Sequence, residues 1–382
     1  MTEPQWPLWS SEHPDAVPPE VLSCPNCGQP VAPGAAYCEA CGATVNPDQT
    51  VPAPQPRTPG DASTQTRRLG SRASEVVTCA ACGGTIDSDG YCQICGAKAP
   101  SARDHYRESP SDWVGGVCDR GLRHSRNEDA MALWSEGPNA VLVVCDGVSS
   151  STDPDAAATA AASAVRDHLI EVVTSLSAAD DAAAVLATAF VDASAAANQA
   201  VIAITDPDST NAPSATLAAA VVLGDEVHFA NLGDSRIYLL GEGRRELLSV
   251  DDSMAQAFIE QGMARSEAES LPRAHAITKW LGRDALDIEP RVGSARLTAP
   301  GWVLVCSDGL WNYASEPDEL YSQLTSAADP SSPVAVAETL VVWANGQGGH
   351  DNVTVALARV APLEADSNLG ITDDESSPEG EG

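Results

Sequence analysis

The chain has 382 residues, a formal net charge of −33 at pH 7 and an isoelectric point near 4.3. Such a surface repels nucleic acid and favours cations or basic segments as partners. The length is enough for two or three domains with a large apolar core. Residues 1–14 lack a basic region followed by an apolar run, so we expect no signal peptide and a cytoplasmic protein.

Eight of the eleven cysteines form four Cys-x-x-Cys pairs, each followed by glycine. They are Cys24, Cys27, Cys38, Cys41, Cys79, Cys82, Cys92 and Cys95. Ten residues separate the first two pairs and nine the last two, which is enough for a hairpin that brings two pairs together. Two thiolate pairs can hold one tetrahedral ion. The pattern resembles a double zinc ribbon and predicts two Zn²⁺ ions, with iron, or pairing across the two units, as open alternatives.

Composition divides the chain into seven stretches. We expect a disordered lead over 1–22, a zinc ribbon over 23–45, a linker over 46–76, a second zinc ribbon over 77–97, a second linker over 98–111, a large domain over 112–362 and a disordered tail over 363–382. The tail carries seven acids and no base. Residues 1–110 carry seven basic and twelve acidic side chains, which argues against nucleic-acid binding by the ribbons.

The large domain alternates short apolar stretches with alanine-rich helical ones. Strands are predicted at Trp113–Cys118, Ala130–Trp134, Val141–Cys145, Thr216–Leu223, Val227–Asn231, Arg236–Leu240, Arg291–Leu297, Val303–Cys306 and Val353–Val360. Helices are predicted from an Asp153 N-cap and Pro154 to about Val173, from about Asp180 to Ile204, over Met254–Gly262 and over Pro333–Ala344. The second helix contains Asp192 and Asn198, so we expect no membrane span. Hairpin-like spacing favours an α+β fold of helices on two antiparallel sheets.

Three acids follow or precede predicted strands in this domain. Asp146 follows the apolar run Val141–Cys145, Asp308 follows Val303–Cys306, and Asp351 precedes Val353–Val360. Carboxylates that converge from separate strand ends are suited to hard divalent cations. The sequence therefore predicts a two-metal hydrolytic site around Asp146.

The motifs of residues 112–360 resemble those of the metal-dependent protein phosphatases of the PPM, or protein phosphatase 2C, family in its bacterial form. The matching stretches, in the family's order, are Asn127–Ala130, Val144–Gly147, Ser214–Leu217, Asn231–Arg236, Ile277–Gly282, Cys306–Trp311 and Asp351–Thr354. The resemblance implies a four-layer sandwich of two antiparallel β-sheets flanked by helices. It also implies hydrolysis of phosphoserine and phosphothreonine in proteins, with two Mg²⁺ or Mn²⁺ ions and a metal-activated water.

The resemblance assigns roles to named residues. Asp146 bridges the two ions, Asp308 and Asp351 are ligands of the first ion, and the Gly147 carbonyl is a ligand of the second. Glu128 and Asp129 hold metal-bound water or the second ion. Asp234 and Arg236 are expected to be scaffold contacts and no part of the site.

The chain departs from the family pattern at several positions near the site. His124 occupies the position of a phosphate-gripping arginine, with Arg123 and Arg126 beside it, so any of the three is a candidate to bind phosphate. Val148 replaces a histidine that some members carry as general acid. Asn211 stands where a third-metal aspartate is expected, with Asp206 and Asp208 nearby, so a third ion stays open. Asp251-Asp252-Ser253 replaces Asp-His-Ser, and a variable flap extends to about Pro272.

These observations predict a cytoplasmic protein serine/threonine phosphatase whose zinc ribbons bind a protein partner, such as a serine/threonine kinase or a phosphoprotein. One alternative is a non-catalytic adaptor that binds phosphoproteins, and another is a phosphatase of a small phosphorylated molecule. The isolated Cys118, Cys145 and Cys306 are expected to be core residues.

Overall fold

The computed structural model describes residues 78–79, 82–87, 90–96, 99, 101–177, 179 and 181–361, together with 22–23 and 30–31. Nearly all of the predicted lead, the first four cysteines, the linker over 46–76 and the tail over 363–382 lie outside these residues. The chain forms two compact units, residues 1–76 and 77–382. In the first unit, β1 (Leu22–Ser23) and β2 (Pro30–Val31) pair in antiparallel fashion.

The second unit contains two large antiparallel sheets. The six-stranded sheet contains β3 (His105–Glu108), β4 (Val114–Asp119), β10 (Arg236–Gly241), β11 (Arg245–Leu247), β14 (Gly301–Cys306) and β15 (Val353–Val360), in the order β11-β10-β14-β15-β4-β3. The five-stranded sheet contains β5 (Ala130–Glu136), β6 (Asn139–Cys145), β8 (Leu217–Leu223), β9 (Glu226–Leu232) and β13 (Arg291–Arg296), in the order β13-β9-β8-β6-β5. A short pair joins β7 (Ser214–Ala215) to β12 (Leu281–Gly282).

Helices cover the outer face of each sheet. They are α1 (Pro154–Ser175) and α2 (Ala182–Ala203) on one sheet and α5 (Asp308–Trp311), α6 (Pro317–Leu324) and α7 (Pro333–Gln347) on the other. The short helices α3 (Met254–Glu260) and α4 (Arg265–Glu269) pack against each other in a small cluster of their own. One apolar core lies between α1, α2 and the five-stranded sheet, a second lies between the two sheets, and a third lies between the six-stranded sheet and α5, α6 and α7. The predicted four-layer α+β sandwich is therefore confirmed.

The strands that lead to the site have both faces buried, which explains their unbroken apolar runs. In β6, Val141 and Val143 pack towards α1 and α2, whereas Leu142 and Val144 pack between the sheets. Strand β14 divides its side chains between two cores in the same way. Since each side chain of such a strand meets apolar neighbours, period-two alternation is lost and continuous hydrophobicity replaces it.

Helices α1 and α2 pack against each other through small residues. Ala157, Ala161, Ala193 and Ala197 are all buried in the core that these helices share with the sheet. Helix α2 is long and apolar enough to cross a membrane, yet the buried side of this helix belongs to the protein core. Its packing is that of a core helix, as the sequence predicts.

Helix α1 begins at the predicted residue but without the expected cap bond. Asp153 occupies the N-cap position with φ 46°, in the left-handed region, and its side chain makes no capping hydrogen bond. Its carbonyl still accepts from the N–H groups of Ala156 and Ala157. Pro154 at the first helical position fixes the start of the helix, because its ring holds φ near the helical value.

The predicted linker over 98–111 is wrong in part, because it contains strand β3. Residues His105–Glu108 pair with β4 at the edge of the six-stranded sheet, in register His105 with Asp119 through Glu108 with Gly116. The large domain therefore begins before residue 112. The strand has a polar sequence because it lies at an edge, where a half-exposed strand needs few apolar side chains.

Candidate metal centre

Five aspartates, which we call the acid cluster, lie where strands of both sheets end or begin. They are Asp129, Asp146, Asp234, Asp308 and Asp351. Asp129 precedes β5, Asp146 follows β6, and Asp234 lies in the turn between β9 and β10. Asp308 opens α5 directly after β14, and Asp351 precedes β15. Antiparallel pairing of these strands brings all five carboxylates to the same end of the sandwich.

The acids of the cluster oppose each other's ionisation. Burial, followed by the charges of the other four acids, raises the pKa of Asp146 well above its usual range. Burial and the charges of three neighbouring acids do the same to the pKa of Asp308. Burial raises the pKa of Asp129 to about 6, against hydrogen bonds from Thr354 and Ser307 that lower it. The cluster therefore carries negative charge that the surrounding protein does not neutralise.

Two carboxylate oxygens in the cluster have no hydrogen-bond partner. Ser307 and Thr354 both donate to Oδ2 of Asp129, at 2.7 Å each. The Oδ1 atoms of Asp129 and Asp308 are buried and unpartnered within the described structure. Orphaned buried oxygens are costly unless a cation or water meets them. Oxygen ligands of this kind fit Mg²⁺ or Mn²⁺, so the residues present suit the divalent cations that the sequence predicts.

The nearby arginines are occupied by other acids. Arg126 donates to Glu128 at 2.8 Å, and the fully buried Arg236 pairs with Asp251 at 2.7 Å. Arg236 lowers the pKa of Asp234 in part, but the pKa values of Asp146 and Asp308 stay well above their usual range.

Asn127, Glu128 and Asp129 form a short segment, here called the metal loop, whose backbone is fixed from several sides. The Glu128 N–H donates to Oδ1 of Asn352 at 2.7 Å, and the Glu128 carbonyl accepts from the Gly147 N–H at 3.2 Å. A side chain at Gly147 would not fit, because a Cβ there would lie 2.4 Å from the Pro154 carbonyl oxygen. Gly147 thus brings the start of α1 against the metal loop.

The other predicted site residues lie at one side of the cluster. The carboxylate of Glu128 accepts from Arg126 and, at 2.5 Å, from the Ser149 hydroxyl. His124 lies between two acids, with Nε2 3.2 Å from Asp351 and Nδ1 4.0 Å from Glu128. Glu128 is thus held by side chains of the protein, whereas the unpartnered oxygens belong to Asp129 and Asp308.

Arg123 is exposed, and within the described part of the chain no hydrogen bond or ion pair of its side chain is found. Arg126, by contrast, forms ion pairs with both Glu128 and, at 3.5 Å, Asp155.

Asp234, which the sequence predicts to be a scaffold contact, lies close enough to the other acids to affect their ionisation. It is buried, and its charge contributes to the raised pKa of both Asp146 and Asp308. Burial and the charge of Asp251 raise the pKa of Asp234 itself to about 7, against the lowering effect of Arg236. Like Asp146, Asp234 stands next to a glycine just after an apolar strand, so a related pattern was available in the sequence.

Arg236, by contrast, has a scaffold role. Its guanidinium lies 3.6 Å over the Trp311 ring and pairs with both Asp251 and, at 2.6 Å, Glu269 of α4. Trp311 in turn donates to the Asp234 carbonyl at 2.9 Å. Helix α4 belongs to the predicted flap, so this contact joins the flap to the base of the acid cluster.

A cavity of about 380 Å³ opens beside the strand end that carries Asp146. Its lining includes Val148, Ser151, Asn211, His275 and Trp280. The amide of Asn211 donates to the Ser150 carbonyl at 2.6 Å, so at the predicted third-metal position this side chain is engaged with backbone.

A family model described as Protein phosphatase 2C matches residues 121–344, more than half of the chain. The chain belongs to the protein phosphatase 2C family. This membership confirms the predicted family and enzyme class, a protein serine/threonine phosphatase. A second model, described as a double zinc ribbon, matches residues 24–96 and confirms the resemblance of the cysteine-rich region.

Relatives in this phosphatase family cover most of the large domain. Serine/threonine phosphatase stp of Listeria welshimeri is 28% identical over 242 residues, which are 63% of this chain and 92% of the relative. The structure of the Mycobacterium tuberculosis serine/threonine phosphatase PstP/Ppp has a TM-score of 0.53 and 27% identity, over 67% of this chain and 99% of that one. The catalytic domain of a phosphatase PstP was solved in complex with two manganese ions. It has a TM-score of 0.50 and 25% identity, and the match covers 67% of this chain and 98% of that domain.

The second cysteine unit of this phosphatase forms a closed thiol group. The Sγ atoms of Cys79, Cys82, Cys92 and Cys95 all lie within 4.8 Å of one another. Cys82 and Cys92 are 3.4 Å apart, and Cys79 and Cys95 are 3.6 Å apart. A tetrahedral Zn²⁺ with Zn–S bonds of about 2.3 Å separates its sulfurs by about 3.8 Å, so this group fits zinc. In this unit the Sγ atoms of the two pairs lie close together, as pairing within the unit requires.

Backbone N–H groups prepare one of these thiols for a metal. Hydrogen bonds from the N–H groups of Cys95 and Ile94 lower the pKa of Cys92 to about 6. The core cysteines behave in the opposite way, since burial raises the pKa of Cys118 to about 12 and raises those of Cys145 and Cys306 further. They are buried core residues, as predicted.

Proposed function

We propose that this chain hydrolyses phosphoserine and phosphothreonine in proteins, with two divalent cations held by the acid cluster. The observation that carries the proposal is a set of mutually repelling carboxylates with unpartnered oxygens at one end of both sheets. The PstP structure in complex with two manganese ions supports the number of ions.

Asp146 is the proposed bridging ligand, because it lies among all the other acids of the cluster. Asp308, Asp351 and Asp129 would supply further oxygens, together with the Gly147 carbonyl. Glu128 would orient water at the edge of the site through a carboxylate that Arg126 and Ser149 hold in place. The bound cations would supply a water that is nucleophilic at neutral pH and positive charge for the phosphoryl oxygens.

Three side chains are candidates to meet the phosphate. Arg123 has no partner within the described structure, so it can turn to a phosphate without breaking an ion pair. Arg126 would have to share its charge with Glu128 and Asp155. His124, 3.2 Å from Asp351, stands at the edge of the cluster and is a candidate to bind phosphate or to donate a proton to the leaving alcohol.

The zinc ribbons are proposed to bind a protein partner, such as a kinase or a phosphoprotein. In the second ribbon, Ile94 is 75% exposed beside the thiol group, which is unusual for an isoleucine in a small module and favours a contact surface. The acidic excess of residues 1–110 opposes nucleic acid as that partner. We also propose a cytoplasmic location, which the free cysteines of the described structure favour.

The test is hydrolysis of a phosphothreonine peptide by the full chain in Mn²⁺ and in chelator. We expect metal-dependent turnover that Asp146→Asn and Asp308→Asn each reduce on the order of 10²–10³-fold, because an oxygen ligand loses its charge. Asp318→Asn, a change at an exposed acid on α6, is the matched control and should leave turnover unchanged.

The other outcomes separate the alternatives. Undiminished turnover in both cluster variants would contradict the metal mechanism. Phosphopeptide binding without turnover would point to an adaptor. Efficient hydrolysis of a small aryl phosphate with none of the peptide would point to a small-molecule phosphatase.

A further inference from the structure

Arg103 lies in the arm, residues 101–108, which precedes the part of the chain that matches the phosphatase family. Its guanidinium uses four donor contacts. Nε donates to the Asn127 carbonyl at 3.1 Å, and Nη2 donates to the Asp129 carbonyl at 2.7 Å. Nη2 also donates to the Asp155 carbonyl at 3.0 Å, and Nη1 donates to the Thr159 hydroxyl at 2.6 Å. The side chain therefore joins the arm, the metal loop and the first turns of α1.

The contact is reciprocal at the metal loop. The side-chain amide of Asn127 donates back to the Arg103 carbonyl at 2.9 Å, and its Oδ1 accepts from the Asp129 N–H at 3.2 Å. The Arg103 guanidinium thus donates to the carbonyls of the residues before and after Glu128, and the Arg103 carbonyl accepts from the Asn127 amide. A buried or half-buried carbonyl keeps its orientation when a planar charged donor meets it, since charge-assisted hydrogen bonds are short and directional.

Pinning these carbonyls limits how the Asp129 side chain can turn. Its backbone is fixed by Arg103 and its Oδ2 by Ser307 and Thr354, so Oδ1 remains aimed at the cluster. We infer that Arg103 is a positioning residue for divalent-cation binding, which acts by holding the metal loop against α1 rather than by contacting metal or substrate. The inference rests on the proposed function, because it presupposes that the acid cluster binds cations.

Lysine cannot replace this side chain. A guanidinium is a planar fork that reaches acceptors on two sides at once, whereas an ammonium is a single point. Arg103→Lys would keep the charge but lose most of the four contacts. The matched control is Arg107→Lys in the same arm, because Arg107 binds Glu338 of α7 at 2.7 Å and makes no contact with the metal loop.

The test is Mn²⁺ titration of the full chain by calorimetry, with thermal unfolding in chelator as a separate readout. We expect Arg103→Lys to weaken Mn²⁺ affinity about 10-fold or more, as the loss of outer contacts around a metal site commonly does. We expect saturating Mn²⁺ to restore most of its phosphopeptide turnover. Arg107→Lys should bind Mn²⁺ like the wild type even if its unfolding temperature falls.

A second, milder variant tests the same inference in case Arg103→Lys does not fold. Thr159→Val removes one acceptor on an exposed helix position and should weaken Mn²⁺ affinity a few-fold with the fold intact. Wild-type affinity in both variants, or an equal loss in Arg107→Lys, would overturn the inference while leaving the proposed function standing. A wild type that binds no Mn²⁺ would overturn both.

Discussion

The surroundings of Asp146 explain why the proposed site would need bound cations to neutralise its charge. The Asp146 carboxylate lies among four other aspartates, while Arg126 and Arg236 are paired with Glu128 and Asp251. Without a cation the protein can relieve this repulsion only by retaining protons on the acids. Protonation and metal binding therefore compete for the same oxygens.

The metal-free protein should lose stability as pH rises. The pKa values of Asp129 and Asp234 are raised to about 6 and about 7 in the folded chain, whereas unfolded aspartates titrate near 4. Since the folded state binds more protons, its stabilisation is present at low pH and is lost as pH rises through 6 to 7. In chelator, the unfolding temperature should fall between pH 5 and 8. Saturating Mn²⁺ should reduce that fall, and the same decline with and without Mn²⁺ would contradict cation binding by these acids.

At the scale of elements, the flap segment, residues 254–272, is joined to the sandwich through a buried ion pair. Helix α4 places Glu269 2.6 Å from Arg236, and Arg265 supports the same carboxylate at 3.1 Å. Burial opposes ionisation of Glu269, but the hydrogen bond and charge of Arg236 outweigh it and lower its pKa. Arg236 also stacks on Trp311, which donates to the Asp234 carbonyl. The same arginine therefore contacts the flap and a residue that supports the acid cluster.

Glu269→Gln should loosen the flap segment. It leaves part of the charge of Arg236 uncompensated, at a cost of about 1–3 kcal/mol. We expect faster amide hydrogen exchange over residues 254–272, with exchange in α1 unchanged. Glu267→Gln, an exposed position on the same helix, is the control. Equal exchange in both variants would show that the ion pair does not hold the flap.

Strands buried on both faces were predictable from their apolar runs, whereas the polar edge strand β3 was not. The nine predicted strands form within two residues of their expected ends. Continuous apolar runs mark most of them, although the edge strand β13 is largely polar. Strand β3 was missed because His105–Glu108 alternates exposed and half-buried positions and lacks an apolar face. Helices α4, α5 and α6 are too short for a helical period to stand out.

Some residues of the candidate site were predictable from sequence, and others were not. Asp146, Asp308 and Asp351 follow from local motifs, because the strand that carries each acid also fixes its place. The electrostatic effect of Asp234 on Asp146 and Asp308 and the hydrogen bonds of Arg103 join residues that are far apart in sequence. The Arg103 contact with Asp129, for example, exists only because the arm adds a strand to the sheet beside β4.

At the scale of the whole molecule, the chain carries two candidate metal sites whose ligands differ in chemistry. The thiol group of Cys79, Cys82, Cys92 and Cys95 suits the soft tetrahedral ligation of zinc. The acid cluster offers oxygens alone, which suit Mg²⁺ or Mn²⁺. The net charge of −33 raises the local concentration of cations around both. Because the two ligand sets share no residue, each should lose its metal independently.

Metal content after equilibrium dialysis against Mn²⁺, measured by elemental analysis on the full chain, tests the account most directly. We predict two manganese and two zinc ions per chain. Asp146→Asn should lose manganese and keep both zinc ions, whereas Cys92→Ser should lose one zinc and keep both manganese ions. A wild type with no manganese, or an Asp146→Asn variant that retains two, would contradict a two-cation centre built around Asp146.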